Sequence, residues 1–130
     1  MPKQRFLTEK GPRAIGPYVT AAIHGDTAYL SGVIPVEPET GKLVPGDAAA
    51  QARQVFKNLG IIVGEMGLDF GDVVKTTVFL TDMAYFAAVN EVYAQAFEGA
   101  GYPARSCVAV QALPMGALVE IECIVAVAKE

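Results

Sequence analysis

Arg105 is the only charged residue between Gly99 and Val119. It stands in Pro103-Ala104-Arg105-Ser106-Cys107-Val108, a strand-like stretch. Downstream, Leu118-Val119-Glu120-Ile121-Glu122-Cys123-Ile124-Val125-Ala126-Val127 is apolar apart from two acids. A guanidinium in a segment made for burial needs a partner, because an unpaired buried charge is costly. The partner is either Glu120 or Glu122, pinning one strand to another, or a ligand carboxylate that arrives and leaves. Period two puts Glu120 and Glu122 on one face of their strand, where one of them can face a pocket beside the Arg105 strand. Arginine grips a carboxylate with a two-pronged hydrogen bond. A glutamate raised in pKa by burial moves a proton to or from water. Residue type and spacing leave the structural ion pair and the ligand site equally open.

Fewer signals surround this pair. Cys107 lies two residues from Arg105, so both project from one face of that strand. The cysteines, Cys107 and Cys123, show no CxxC or other metal spacing and read as small buried hydrophobes in a reducing compartment. Tyr18 follows Ile15-Gly16-Pro17, Ser31-Gly32 ends a strand, and Asn90 sits on a helix between Val89 and Val92. Taken singly, each serves packing or capping. His24, the single histidine, falls in the turn His24-Gly25-Asp26 and reads as a surface residue. No metal site can be assembled from these residues, and a Ser-His-Asp or Cys-His mechanism would have to run through His24. The phosphate-binding patterns G-x-x-x-x-G-K-[ST] and G-x-G-x-x-G are absent.

Composition narrows the classes further. Apolar residues make up 52% of the 130 residues and charged ones 18%. That surplus implies a subunit interface as well as a core, hence a homo-oligomer. Net charge is −4 and the basic residues are scattered, which argues against a nucleic-acid surface. No apolar run reaches membrane-spanning length, and Met1-Pro2-Lys3-Gln4-Arg5-Phe6 has no apolar signal core. The expectation is a soluble cytoplasmic protein of one domain over residues 1–130.

Several elements must hold the pair in place. Strands are expected over Tyr18–Ile23 and Thr27–Ser31, joined as a hairpin through His24-Gly25-Asp26. Asp47 caps a helix from Ala48 to about Met66, with Gly67 closing it. Its buried stripe is Ala52, Val55, Phe56, Leu59, Ile62, Val63 and Met66. Asp72–Thr81 reads as a strand. Asp82 caps a second helix, Met83–Glu98, with stripe Phe86, Val89, Tyr93, Ala96 and Phe97. Strands Arg105–Gln111 and Leu118–Ala128 follow, with Leu113-Pro114-Met115-Gly116 as the turn between them. The order β-β-α-β-α-β-β predicts an α+β fold, one mixed sheet backed by two helices. The other sheet face, still half apolar, calls for cover from another subunit.

Ala14-Ile15-Gly16-Pro17-Tyr18, Ser31-Gly32-Val33-Ile34-Pro35, Ala50-Gln51-Ala52, Val74-Lys75-Thr76-Thr77-Val78-Phe79, Pro103-Ala104-Arg105-Ser106-Cys107-Val108 and Val119-Glu120-Ile121-Glu122 together resemble the RidA branch of the YjgF/Rid family, the reactive intermediate deaminases. The match runs in order along nearly the whole chain. The resemblance implies a chorismate-mutase-like fold and a homotrimer around a central β-barrel, with active sites in the clefts between subunits. It also implies hydrolysis of enamines and imines, such as 2-aminoacrylate and 2-iminopropanoate, to 2-keto acids and ammonia without metal or cofactor. By the same resemblance Arg105 holds the substrate carboxylate and Glu120 orients or activates water. Tyr18, Ser31, Gly32, Asn90 and Cys107 would line the pocket. One departure is Val33, where the family often has glutamine after Ser-Gly; it leaves substrate preference open. Two other readings stand beside the deaminase: a non-catalytic binder of small carboxylates or 2-keto acids, and an endoribonuclease or translation inhibitor.

Overall fold

A computed structural model describes residues 2–127. Six strands and two helices follow in the order β1 (Gln4–Phe6), β2 (Ala21–His24), β3 (Thr27–Leu30), α1 (Ala48–Glu65), β4 (Val73–Leu80), α2 (Phe86–Ala96), β5 (Ala104–Ala109) and β6 (Val119–Ala126). The strands form one sheet ordered β1-β2-β3-β6-β4-β5. Every pairing is antiparallel except β4 with β5, the two strands that α2 connects. The α+β reading with two helices on a mixed sheet holds.

The caps and periodicities act where their chemistry says they should. Asp47 begins α1, its carboxylate accepting the Ala50 amide at 3.0 Å. Val55, Phe56, Leu59, Ile62 and Val63 of α1 are buried, and each contributes about 1.5–3 kcal/mol by leaving water. They meet Val89, Val92, Tyr93 and Phe97 from the second helical segment, and Leu30, Val78, Leu80, Val119, Ile121 and Val125 from the sheet. Two buried amides on α1 brace the chain around the site. Gln51 Oε1 accepts the Leu118 amide at 2.8 Å, just ahead of β6. Asn58 donates to the carbonyls of Ile34 and Val36, at 3.3 and 2.9 Å, fixing the loop after β3. Each would cost free energy if left unpaired there, so both hold their loops firmly.

Several expectations are corrected. β1 was not foreseen: three largely exposed residues pair through backbone with β2, and no apolar alternation marks them. β2 starts three residues later than Tyr18. The Tyr18 amide donates back to Gly16 at 2.8 Å, and the carbonyls of Val19 and Thr20 are taken by Ser31. The second helix starts later than Met83, because Asp82 caps a 3-10 turn over Met83–Tyr85 through the Ala84 amide. The last two strands are not a hairpin. β6 lies between β3 and β4, and β5 runs at the sheet edge. The connection crosses the end of β4, where Val110 donates to Leu80 at 2.7 Å and Thr81 to Leu118 at 3.2 Å. Ala128, the last residue of the expected final strand, lies outside the described residues.

Along β6, Val119, Ile121, Cys123 and Val125 face the helices, and Glu120, Glu122, Ile124 and Ala126 face away. That outer face is open: Tyr29 is 52% exposed, and Val74, at a bulge in β4, is 54% exposed.

Candidate active site

Two clusters emerge, and the expected residues divide between them. The first lies on a broad groove of about 1320 Å³ that Tyr18, Ser31, Gly32, Met115, Glu120 and Glu122 help to line. Ser31 closes the end of β3. Its amide donates to the Thr20 carbonyl at 2.9 Å and its hydroxyl to the Val19 carbonyl at 2.7 Å, so its side chain fixes the chain that carries Tyr18. Glu120 is half-buried on the outer face of β6, opposite Phe79. Burial pushes its carboxyl above the usual carboxylate range, and the neighbouring Glu122 charge adds to the rise. This is the environment that suits a general base near neutral pH. Val33 is buried and bridges to Ile121, and its apolar side chain packs in the core at the edge of the groove.

The second cluster sits at the other edge. Arg105 on β5 is paired with Thr76 of β4, and its side chain leans over α2. Nη1 donates to Asn90 Oδ1 at 2.7 Å. The guanidinium carbon lies 4.7 Å from the centre of the Tyr93 ring and 5.5 Å from that of Phe86. Tyr93 is itself fixed, its hydroxyl sharing a 2.7 Å hydrogen bond with the fully buried Thr76. Burial raises the pKa of that phenol, with Thr76 and Arg105 pulling the other way. Cys107 shares the Arg105 face and packs against the core. Burial pushes its thiol up although Arg105 pulls it down, so it is not tuned as a nucleophile.

Arg105 and Glu120 therefore do not meet within one chain. Thr76, the partner of Arg105, faces the helices, whereas Phe79, the partner of Glu120, faces outward, and β4 separates the two strands. The expectation that a β6 acid shares a pocket with Arg105 across the turn fails for a single copy, and so does the structural ion pair between them. The arginine keeps most of its five N–H donors available, since one amide and two ring faces hold it.

Tyr93, Phe86 and Thr76 escaped the sequence reading as site residues. Tyr93 and Phe86 belong to the stripe of the second helix and read as core. The one available signal was the Tyr93 hydroxyl, a polar group in a buried stripe that must find a partner. His24 is exposed on the β2–β3 turn. Among the described residues no three His, Cys, Asp or Glu side chains gather as a metal-binding group, and no helix is long and apolar enough to cross a membrane.

An edge arginine, an outward acid of raised pKa and an α+β sheet with two helices on one face are the features the site presents. The sequence profile of the Endoribonuclease L-PSP family matches residues 8–127. The chain is 51% identical over 121 residues to the 2-iminobutanoate/2-iminopropanoate deaminase of Escherichia coli K12, covering 92% of this chain and 94% of that one. Among solved structures it resembles a Rid-family protein of unknown function from Yersinia pestis, with a TM-score of 0.92 at 45% identity over 95% of this chain and 98% of that one. It also resembles Escherichia coli TdcF with bound serine, with a TM-score of 0.89, 45% identity and the same coverage. The chain belongs to the Endoribonuclease L-PSP family, the YjgF/Rid family of the resemblance above.

Proposed function

We propose that this protein hydrolyses 2-imino acids, and the enamines that tautomerise to them, to 2-keto acids and ammonia. The observation that carries the reading is the division of the site. A guanidinium with open donors and a carboxylate of raised pKa lie on opposite sheet faces of one chain. A second copy can bring the two together. We therefore read the working form as a homotrimer, with each site taking Arg105, Asn90 and Cys107 from one copy and Tyr18, Ser31, Gly32 and Glu120 from the next.

The chemistry needs little more. Arg105 grips the substrate carboxylate through two N–H donors, its plane already set by Asn90 and Tyr93. A protonated imine carbon is electrophilic, so a positioned water can add to it. Glu120 takes a proton from that water as the C–O bond forms, and a carbinolamine results. Glu120 gives that proton to the nitrogen, the C–N bond breaks with its electron pair leaving on ammonia, and the carboxylate takes the remaining hydroxyl proton as the carbonyl closes. Proximity and one acid/base group supply the rate. The substrates named by the Escherichia coli deaminase, and the serine bound to TdcF, all carry an α-carboxylate of the kind Arg105 can hold. Removing 2-aminoacrylate in the cytoplasm would protect pyridoxal-phosphate enzymes from it.

The test generates 2-iminopropanoate with an amino-acid oxidase and traps it with semicarbazide. Wild type should suppress semicarbazone formation, and Arg105→Ala and Glu120→Ala should fail to do so while assembling normally. Full activity in Arg105→Ala would remove the carboxylate grip from the account. If Glu120→Gln bound keto acids as wild type does while no imino acid turned over, the protein would be a carboxylate sensor.

A further inference from the structure

We propose that Gly32 is a positioning residue for Glu120: the side chain it lacks is the space in which the Glu120 carboxylate sits. A Cβ placed on Gly32 would stand 2.0 Å from Glu120 Oε2, 2.8 Å from Cδ and 3.2 Å from Cγ. Real atoms do not approach that closely, so the carboxylate end of Glu120 would have to move. The backbone itself does not ask for glycine here, because Gly32 is not among the glycines of positive φ.

The backbone side of the contact cannot easily retreat, so it is the flexible carboxylate end of Glu120 that gives way. Ser31 is tied to Thr20 through its amide and to Val19 through its hydroxyl. Val33 and Ile121 exchange hydrogen bonds of 2.8 and 3.1 Å, locking the residue after Gly32 to the residue after Glu120. Glu122, on the same face of β6, disfavours a swing of the carboxylate toward itself. Glycine thus serves as a mould for the acid in addition to lining the groove. Any side chain at position 32 displaces the acid from the water it must deprotonate.

This deepens the deaminase reading, and its kinetic arm rests on that reading; a thermal arm does not. Gly32→Ala should lower the melting midpoint by only about 1–3 °C, because the displaced atoms are the movable end of Glu120. Gly32→Ala combined with Glu120→Ala should restore it, because the clashing carboxylate is gone. Should Gly32→Ala alone fail to fold, recovery of folding in the double variant carries the same meaning. Loss that persists without the Glu120 side chain overturns the proposal. In the kinetic arm, kcat of Gly32→Ala should fall about 100-fold with KM nearly unchanged. The shorter acid in Gly32→Ala/Glu120→Asp should turn over faster than Gly32→Ala. Gly64→Ala, whose added Cβ meets nothing within 4 Å, is the control and should keep wild-type kcat. Wild-type kcat in Gly32→Ala overturns the proposal. Thermal coupling without turnover in the wild type supports the mould and counts against the deaminase reading alone.

Discussion

Arg105 is held by what surrounds it: two aromatic rings of α2 near its guanidinium, an amide on one nitrogen, and behind them a hydrogen bond buried between Tyr93 and Thr76. Glu120 is held by what is missing beside it, a bare backbone at Gly32 that the pairing of Val33 with Ile121 keeps close. The first half is made of side chains on regular elements and keeps a permanent charge. The second is made of backbone and loop ends, and its charge is adjustable, because burial and Glu122 lift its pKa. The contrast matches the proposed tasks: a grip that must not change, and a proton carrier that must. Losses on the Arg105 side should therefore appear in substrate binding, and losses on the Glu120 side in turnover and pH dependence.

Glu120→Gln gives the largest expected effect. It removes the base, so kcat should fall by roughly 10²–10⁴-fold while KM stays close to wild type. The folded-state pKa of Glu120 is raised, so its contribution to stability is fully present below its unfolded pKa and is lost as pH rises through the folded value. Above the unfolded pKa, pH 7 included, the raised pKa therefore costs stability. Glu120→Gln should melt slightly above wild type there, by less than about 1 kcal/mol given solvent screening. A rise in KM with kcat intact would erase the division of labour.

Tyr93→Phe comes next. It keeps the ring under Arg105 but leaves the buried Thr76 hydroxyl without its partner. Urea unfolding should show a loss of about 1–2 kcal/mol. Steady-state kinetics should show KM raised by more than kcat is lowered.

The smallest effect belongs to Glu122→Gln. Removing that charge lowers the Glu120 pKa, so the acid limb of the kcat/KM profile should move to lower pH with the plateau preserved. An unmoved limb would mean that Glu122 does not tune Glu120, or that another group sets the profile.

The contrast also explains what could be read in advance. Alternation along Val119–Ala126 put Glu120 and Glu122 together facing outward, because a strand with one buried face permits a single phase. The same logic put Arg105 and Cys107 on one face. Asp47 announced α1 because an uncapped helix start leaves its amides orphaned. What escaped was long-range. No local signal says that β6 enters between β3 and β4, so the turn at Leu113–Gly116 looked like a hairpin and the two charges looked adjacent. β1 escaped because an edge strand of three residues pairs through backbone alone. Gly32 was legible as a pocket residue but not as a mould, since the absence of a side chain acquires meaning only beside its neighbour.

The central claim, that each site takes Arg105 from one copy and Glu120 from another, can be tested by subunit mixing. Arg105→Ala and Glu120→Ala proteins, each inactive, are unfolded together, refolded and assayed for imine hydrolysis, with mixed assembly verified by native mass spectrometry. Random mixing in a closed ring places both intact residues at about a quarter of the sites, so activity should return to about a quarter of wild type. Mixed oligomers that stay inactive would contradict the shared site.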